Sequence, residues 1–185
     1  MTMPRLNPPD VAGMSEHQRR IHDAIASGPR GRVRGPLAIW LHRPGLAEHA
    51  QALGQYCRYD SSLSPRLSEL AILTMAAWWR SSFEWWAHHP IALKAGLDAA
   101  VADSIRVGDE PVFEKVDESV VYRFVRSLLQ TRQVPDALYD EAVRTLGQES
   151  VVDLVGISGY YTLISMTINV FDIQPTDGST VSFER

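Results

Sequence analysis

The sequence predicts an all-α domain, and three observations carry that reading. Apolar residues recur at helical spacing, as in RLSELAILTMAAWWR, where Leu67, Leu70, Leu73 and Ala77 fall on related turns with no Gly or Pro between them. Capping and stop residues bracket such segments along the chain. Between them, no run alternates apolar and polar residues as a half-buried strand does, and no hairpin turn signal appears.

Residues 1–14 are rich in Pro and Gly and are expected to form an N-terminal arm. In SEHQRRIHDAIASG, Ser15 is a good cap and Gly28 a stop, which predicts a helix over 15–27. Gly28 to Pro36 packs three Gly, two Pro and three Arg into nine residues, a loop composition. Helices are then predicted over 45–58, 64–80, 83–95, 98–107, 116–131, 136–146 and 149–171. Ser81 and Ser82 break 64–80 from 83–95 and can cap the second helix, so 64–95 reads as a helical hairpin at the centre of a domain spanning 15–174. The stretch 175–185, PTDGSTVSFER, reads as a C-terminal tail, and no repeat of solenoid type is present.

Composition bounds the function. A chain of 185 residues, 45% hydrophobic, suits one domain with a sizeable core. A net charge of −4 offers no global attraction for nucleic acid or anionic membrane, so neither is expected as a partner. Cys57 is the only cysteine, which excludes an intramolecular disulfide and suits a cytoplasmic enzyme; a small buried apolar role is expected for it. The first residues lack a signal-peptide core and no apolar run approaches membrane-spanning length, which predicts a soluble, cytoplasmic protein. Walker loops, dinucleotide glycine fingerprints and the G-x-S-x-G elbow are absent. The helices over 64–80 and 149–171 are apolar around much of their circumference, so part of that surface is expected to meet another subunit, with the arms adding to the contact.

Chemistry concentrates between Glu69 and His88. The spacing is Glu69, eleven residues, Ser81, two residues, Glu84, three residues, His88. Glu84 and His88 are four apart and share a helical face, beside Trp78, Trp79, Trp85 and Trp86. Two readings stand for this pair: a solvated surface ion pair, or a proton-transfer site in a partly apolar pocket. Glu69 is either an exposed residue beside Arg66 or a hairpin-facing carboxylate that orients His88 or acts as base. A metal site drawn from Glu69, Glu84 and His88 lacks supporting H-x-x-x-H or Cys-rich spacing, and no metal is expected.

The segments GPRGRVRGPLAIWLHRPGLAEHAQALGQY, SPRLSELAIL, FEWWAHHPIALKAGL and GYYTLISMTINVF together resemble the carboxymuconolactone decarboxylase family, the superfamily that includes alkylhydroperoxidase D. The resemblance covers roughly residues 28–174. It implies an alkylhydroperoxidase D-like helical fold, homo-oligomers that are commonly trimers or hexamers, sites near subunit boundaries, and no organic cofactor. In the redox-active members, the positions held here by Ser81 and Glu84 form a C-x-x-C pair. Neither cysteine is present, and dithiol peroxide reduction needs both a nucleophilic thiolate and a resolving partner.

The resemblance therefore implies acid–base chemistry on a small carboxylated, lactone-like substrate of aromatic degradation, with His88, Glu84 and Glu69 as catalytic candidates. His88 is expected to supply or remove the proton. Arg30, Arg32 and Arg34 are candidates to clamp a substrate carboxylate, and can equally be a solvated basic loop or an oligomer contact. Ser81 is either a helix cap or a substrate contact, and Trp85 is a candidate aromatic contact. Tyr160, Tyr161 and Asn169, on the last helix, are candidates to line the pocket or to make structural hydrogen bonds. His89 points about 100° from His88 and reads as a packing or interface residue. Decarboxylation, isomerisation or hydrolysis of a related lactone, and ligand binding without catalysis by a helical oligomer, all remain open.

Overall fold

A computed structural model describes residues 4–183. Residues 1–3 of the N-terminal arm and 184–185 of the tail lie outside that range. Nine α-helices and no strand occur among the described residues: α1 (Glu16–Ser27), α2 (Pro36–Trp40), α3 (Pro44–Gln55), α4 (Pro65–Trp79), α5 (Ser82–Lys94), α6 (Ala99–Val107), α7 (Val116–Thr131), α8 (Asp136–Leu146) and α9 (Gln148–Phe171).

The central element is α4. Residues 67–76 are buried without a break, and the helix packs against α5, α6, α7 and α9 at once. A helix enclosed on every side has no polar face to spare, which is why the sequence is apolar around it. Its one buried charge, Glu69, has a partner described below. Arg80 ends α4 in the left-handed conformation (φ 51°), and the Ser81 amide donates back to the Ala76 carbonyl at 2.8 Å. That reversal aims α5 back along α4 and makes the hairpin. Pro90 sits inside α5 without ending it.

Several boundaries follow local chemistry. Ser15 closes a capping box at α1, accepting from the Gln18 amide while the Gln18 side chain accepts from the Ser15 amide. The helix expected over 45–58 instead stops at Gln55 and continues as a π-helical turn, Tyr56–Asp60. Within the stretch that follows the arginine loop, α2 is a helix the sequence did not predict; Pro36 at its first position and Gly35 (φ 59°) before it start it. Its five residues are all buried, so tertiary packing rather than propensity holds it.

α9 is long and apolar enough to span a membrane, yet 61% of its most apolar window is buried in the protein, as expected of a core helix. The described ends of the chain pack on its own helices. The Arg5 amide donates to the Phe171 carbonyl at 3.0 Å, and a His42 ring nitrogen lies 2.8 Å from the Asn7 carbonyl. In the tail, Asp177 accepts from the Trp86 indole at 2.7 Å, Ser182 accepts from Arg106 at 2.8 Å, and Phe183 packs edge-on to Trp85.

Candidate active site

The hairpin places Glu69 of α4 opposite Glu84 and His88 of α5. His88 Nδ1 is 2.7 Å from Glu69 Oε2, and His88 Nε2 is 3.0 Å from Glu84 Oε1. All three residues are at most 4% exposed. An ionised carboxylate only accepts, so a ring bonded to two of them donates from both nitrogens and is the imidazolium. Burial alone pulls His88 down, but the charges and hydrogen bonds of Glu69 and Glu84 outweigh it and raise the ring to about 9. Tyr161 stands edge-on to the ring, centroids 5.3 Å apart. Burial, with Glu84 adding to it, raises the Tyr161 phenol well above its ordinary range.

In front of this row lies a cavity of ≈ 110 Å³, lined on its polar side by Arg30, Arg32, Arg34, Arg58, Glu84, His88, Tyr160 and Tyr161. Leu37, Phe83 and Ile164 are among its apolar walls. Glu69 is not on the wall: the order from the cavity inward is Glu84 and His88, then Glu69. Both nitrogens of His88 are occupied, which leaves the second oxygen of Glu84 as the relay atom free to meet a ligand. The same occupancy leaves no ring lone pair for a metal, and no metal-holding cluster of three His, Cys, Asp or Glu occurs among the described residues.

The four arginines have no carboxylate within ion-pair distance among the described residues. Arg30, Arg34 and Arg58 are instead each steered by an aromatic residue. Arg34 lies 5.0 Å over Trp86 and 5.9 Å from Phe83, and Arg58 lies 5.3 Å over Tyr59. Burial, then the charges of Arg32 and Arg58, lowers Arg34, with Glu84 opposing. Crowded cations of this kind favour an anion between them. Arg30 donates to the Tyr160 hydroxyl at 3.5 Å, while its Nε is buried without a partner. Burial raises the Tyr160 phenol to about 12.

Two glycines admit this geometry. A Cβ on Gly54 would fall 2.0 Å from the Tyr160 hydroxyl, and one on Gly35 would fall 2.5 Å from the Phe83 ring. The first lets Tyr160 lie against α3; the second lets the arginine loop cross α5.

The structure therefore gathers Glu69, Glu84, His88, Arg30, Arg32, Arg34 and Tyr160 at one place, and leaves three candidates elsewhere. Ser81 occupies the N-cap position of α5, but its side chain makes no cap bond; the hydroxyl is fully buried and without a partner, off the cavity wall. Trp85 points away, stacked on His89 and packed against the tail. Asn169 donates to the Trp79 carbonyl at 2.6 Å, holding the end of α4. Trp78 is 41% exposed under Arg126, whereas Tyr161 stands edge-on to the His88 ring. The residue that sequence reasoning missed is Arg58, hidden because the π-helical turn read as the end of a regular helix.

No protein-family model matches the chain, and no curated protein matches it significantly in sequence. Solved structures do match in fold. An uncharacterized peroxidase-related protein from Ralstonia eutropha JMP134, described as an alkylhydroperoxidase AhpD core, superposes with a TM-score of 0.78 at 16% identity, over 96% of this chain and 94% of that one. A second uncharacterized peroxidase-related protein, from Silicibacter sp. TM1040, gives 0.74 at 12% identity over 94% and 92%. A protein of unknown function from Agrobacterium tumefaciens gives 0.66 at 16% identity, over 77% of this chain and 99% of that one. The chain has the all-helical fold of alkylhydroperoxidase D-like proteins.

Proposed function

We propose that this protein is a cofactor-free acid–base enzyme acting on a small carboxylated substrate, with decarboxylation of a lactone-like acid as its reaction. The observation that carries the reading is the buried Glu69–His88–Glu84 row ending at the arginine-lined cavity. The arginines hold the substrate's carboxylate. Loss of carbon dioxide, or migration of a double bond, leaves negative charge on a dienolate that must be protonated. Glu84 is the group that touches it: the His88 Nε2 proton passes to the Glu84 carboxylate, the carboxyl so formed delivers it to the dienolate, and His88 is left neutral until it is reprotonated. Glu69 fixes the ring and keeps it charged. This assigns to Glu84 the contact with substrate that the sequence reading gave to His88.

Peroxide reduction finds no support: the single thiol, Cys57, is buried and pushed up to about 11 by that burial, with Asp153 adding to it. We also propose that the chain works as a homo-oligomer, a trimer or hexamer as the resemblance implies. Val152, Val155, Met166 and Val170 of α9 are 41–67% exposed and lie within about 60° of one another around the helix, an apolar stripe suited to a second copy.

The test is a spectrophotometric assay against muconolactones and related carboxylated lactones, with carbon dioxide followed in parallel. Turnover with carbon dioxide release is expected, and Glu84→Gln should lower it by roughly 10²-fold or more. Turnover without carbon dioxide would replace the reaction by isomerisation or hydrolysis at the same groups. Binding without turnover of any panel member would replace the enzyme by a small-molecule-binding oligomer.

A further inference from the structure

Asp153, on α9 and 7% exposed, is a buried carboxylate that the relay does not use. It accepts three hydrogen bonds, each at 2.7 Å: from the Tyr56 hydroxyl, the Ser62 amide and the Ser62 hydroxyl. The Ser62 hydroxyl also lies 3.0 Å from Ser150 Oγ, one turn earlier on α9. Tyr56 is the first residue of the π-helical turn and Ser62 lies two residues past its end. One carboxylate thus grips the turn on both flanks. Between those grips the turn sends Arg58 and Tyr59 to the cavity wall and buries Cys57 against α9 near Gly156. Burial would push Asp153 up, yet the bonds from Ser62 and Tyr56 outweigh it and hold the carboxyl below its ordinary range.

A π-helical turn is a poor structure on its own terms, because its hydrogen bonds are badly aligned and an α-helical continuation of α3 is always available. Relaxation to that continuation would shift the register past the turn by one residue and swing the Arg58 side chain through part of the roughly 100° that one residue represents, away from its place on the cavity wall. We infer that Asp153 is a positioning residue for the cavity: by clasping Tyr56 and Ser62 it holds the π-helical turn and so keeps Arg58 aimed at the bound anion. This rests on the reading of the arginine-lined cavity as an anion site.

The experiment is isothermal titration with inorganic phosphate as the anionic probe, on the full chain and on Arg34→Gln, Arg58→Ala, Asp153→Asn and the Arg58→Ala/Asp153→Asn double variant. Arg34→Gln places the probe in the cavity. Asn keeps the shape of Asp153 but presents an N–H to groups that are themselves donors. Asp153→Asn is expected to weaken phosphate roughly tenfold, about as much as Arg58→Ala does, and the double variant no further than Arg58→Ala alone. Tyr56→Phe and Ser62→Ala, each removing part of the clasp, should give smaller losses in the same direction, and they carry the test if Asp153→Asn does not fold. Unchanged phosphate affinity in a folded but less stable Asp153→Asn, or additive losses in the double variant, would overturn the inference while leaving the anion site standing. No phosphate binding by the unaltered protein would overturn the anion site itself, and the inference with it.

Discussion

His88 donates to two carboxylates at once, and that arrangement ties its proton to the folded state. Its folded pKa of about 9 lies above the ordinary 6.5, so the stabilisation it supplies is complete below pH 6.5 and drains away as the pH rises through 9. Chemical denaturation of the protein across that window should show a loss of stability that His88→Gln lacks; parallel curves for the two would mean that the ring is neutral in the fold. Glu69→Gln removes the deeper negative charge and should lower His88 toward its ordinary value, a change readable from its NMR titration. That Glu84 and His88 share a face was legible from i,i+4 spacing, but spacing left open whether the pair is solvated, and Glu69 read equally as an exposed residue beside Arg66 or a hairpin-facing carboxylate. What spacing cannot give is which oxygen is free. That Glu84 faces the cavity while Glu69 stands behind the ring depends on how α4 and α5 pack. Ser81 shows the converse: a good cap residue at a cap position whose backbone leaves the hydroxyl buried and idle.

At the scale of elements, the helices with strong periodicity were legible almost to the residue, α7 and α8 completely so although neither has a side-chain cap. Two elements at the cavity were not. α2 has five residues, too few for a periodic signal, and its burial comes from the rest of the fold. The π-helical turn has the composition of a helix end and departs from it only through distant partners on α9, which no local pattern encodes. The same elements rely on close approach. Gly54→Ala forces a methyl into the Tyr160 hydroxyl and ring, at 2.0 and 2.2 Å, and should cost about 1–3 kcal/mol of stability by denaturant titration. Combination with Tyr160→Ala should recover part of that loss. If the two losses simply add, α3 and α9 do not meet as described.

Over the whole molecule, the all-α architecture follows from a chain that offers helices and little else, and α4 is apolar all round because four helices enclose it. The stripe on α9 is a different kind of apolar surface, left bare by the fold. Val155→Asp, half-exposed and central to that stripe, should lower the molar mass measured by light scattering while leaving the helical circular dichroism unchanged. A mass equal to that of the unaltered protein would remove α9 from the subunit contact. Cys57 sits behind all of this, 1% exposed with its thiol protonated at neutral pH. Iodoacetamide and dilute hydrogen peroxide should leave it unmodified by mass spectrometry in the native protein. The acid–base chemistry proposed for the site draws on an imidazole and two carboxylates, groups without a redox couple, so its readiness would be set by protons, in reducing and oxidising surroundings alike.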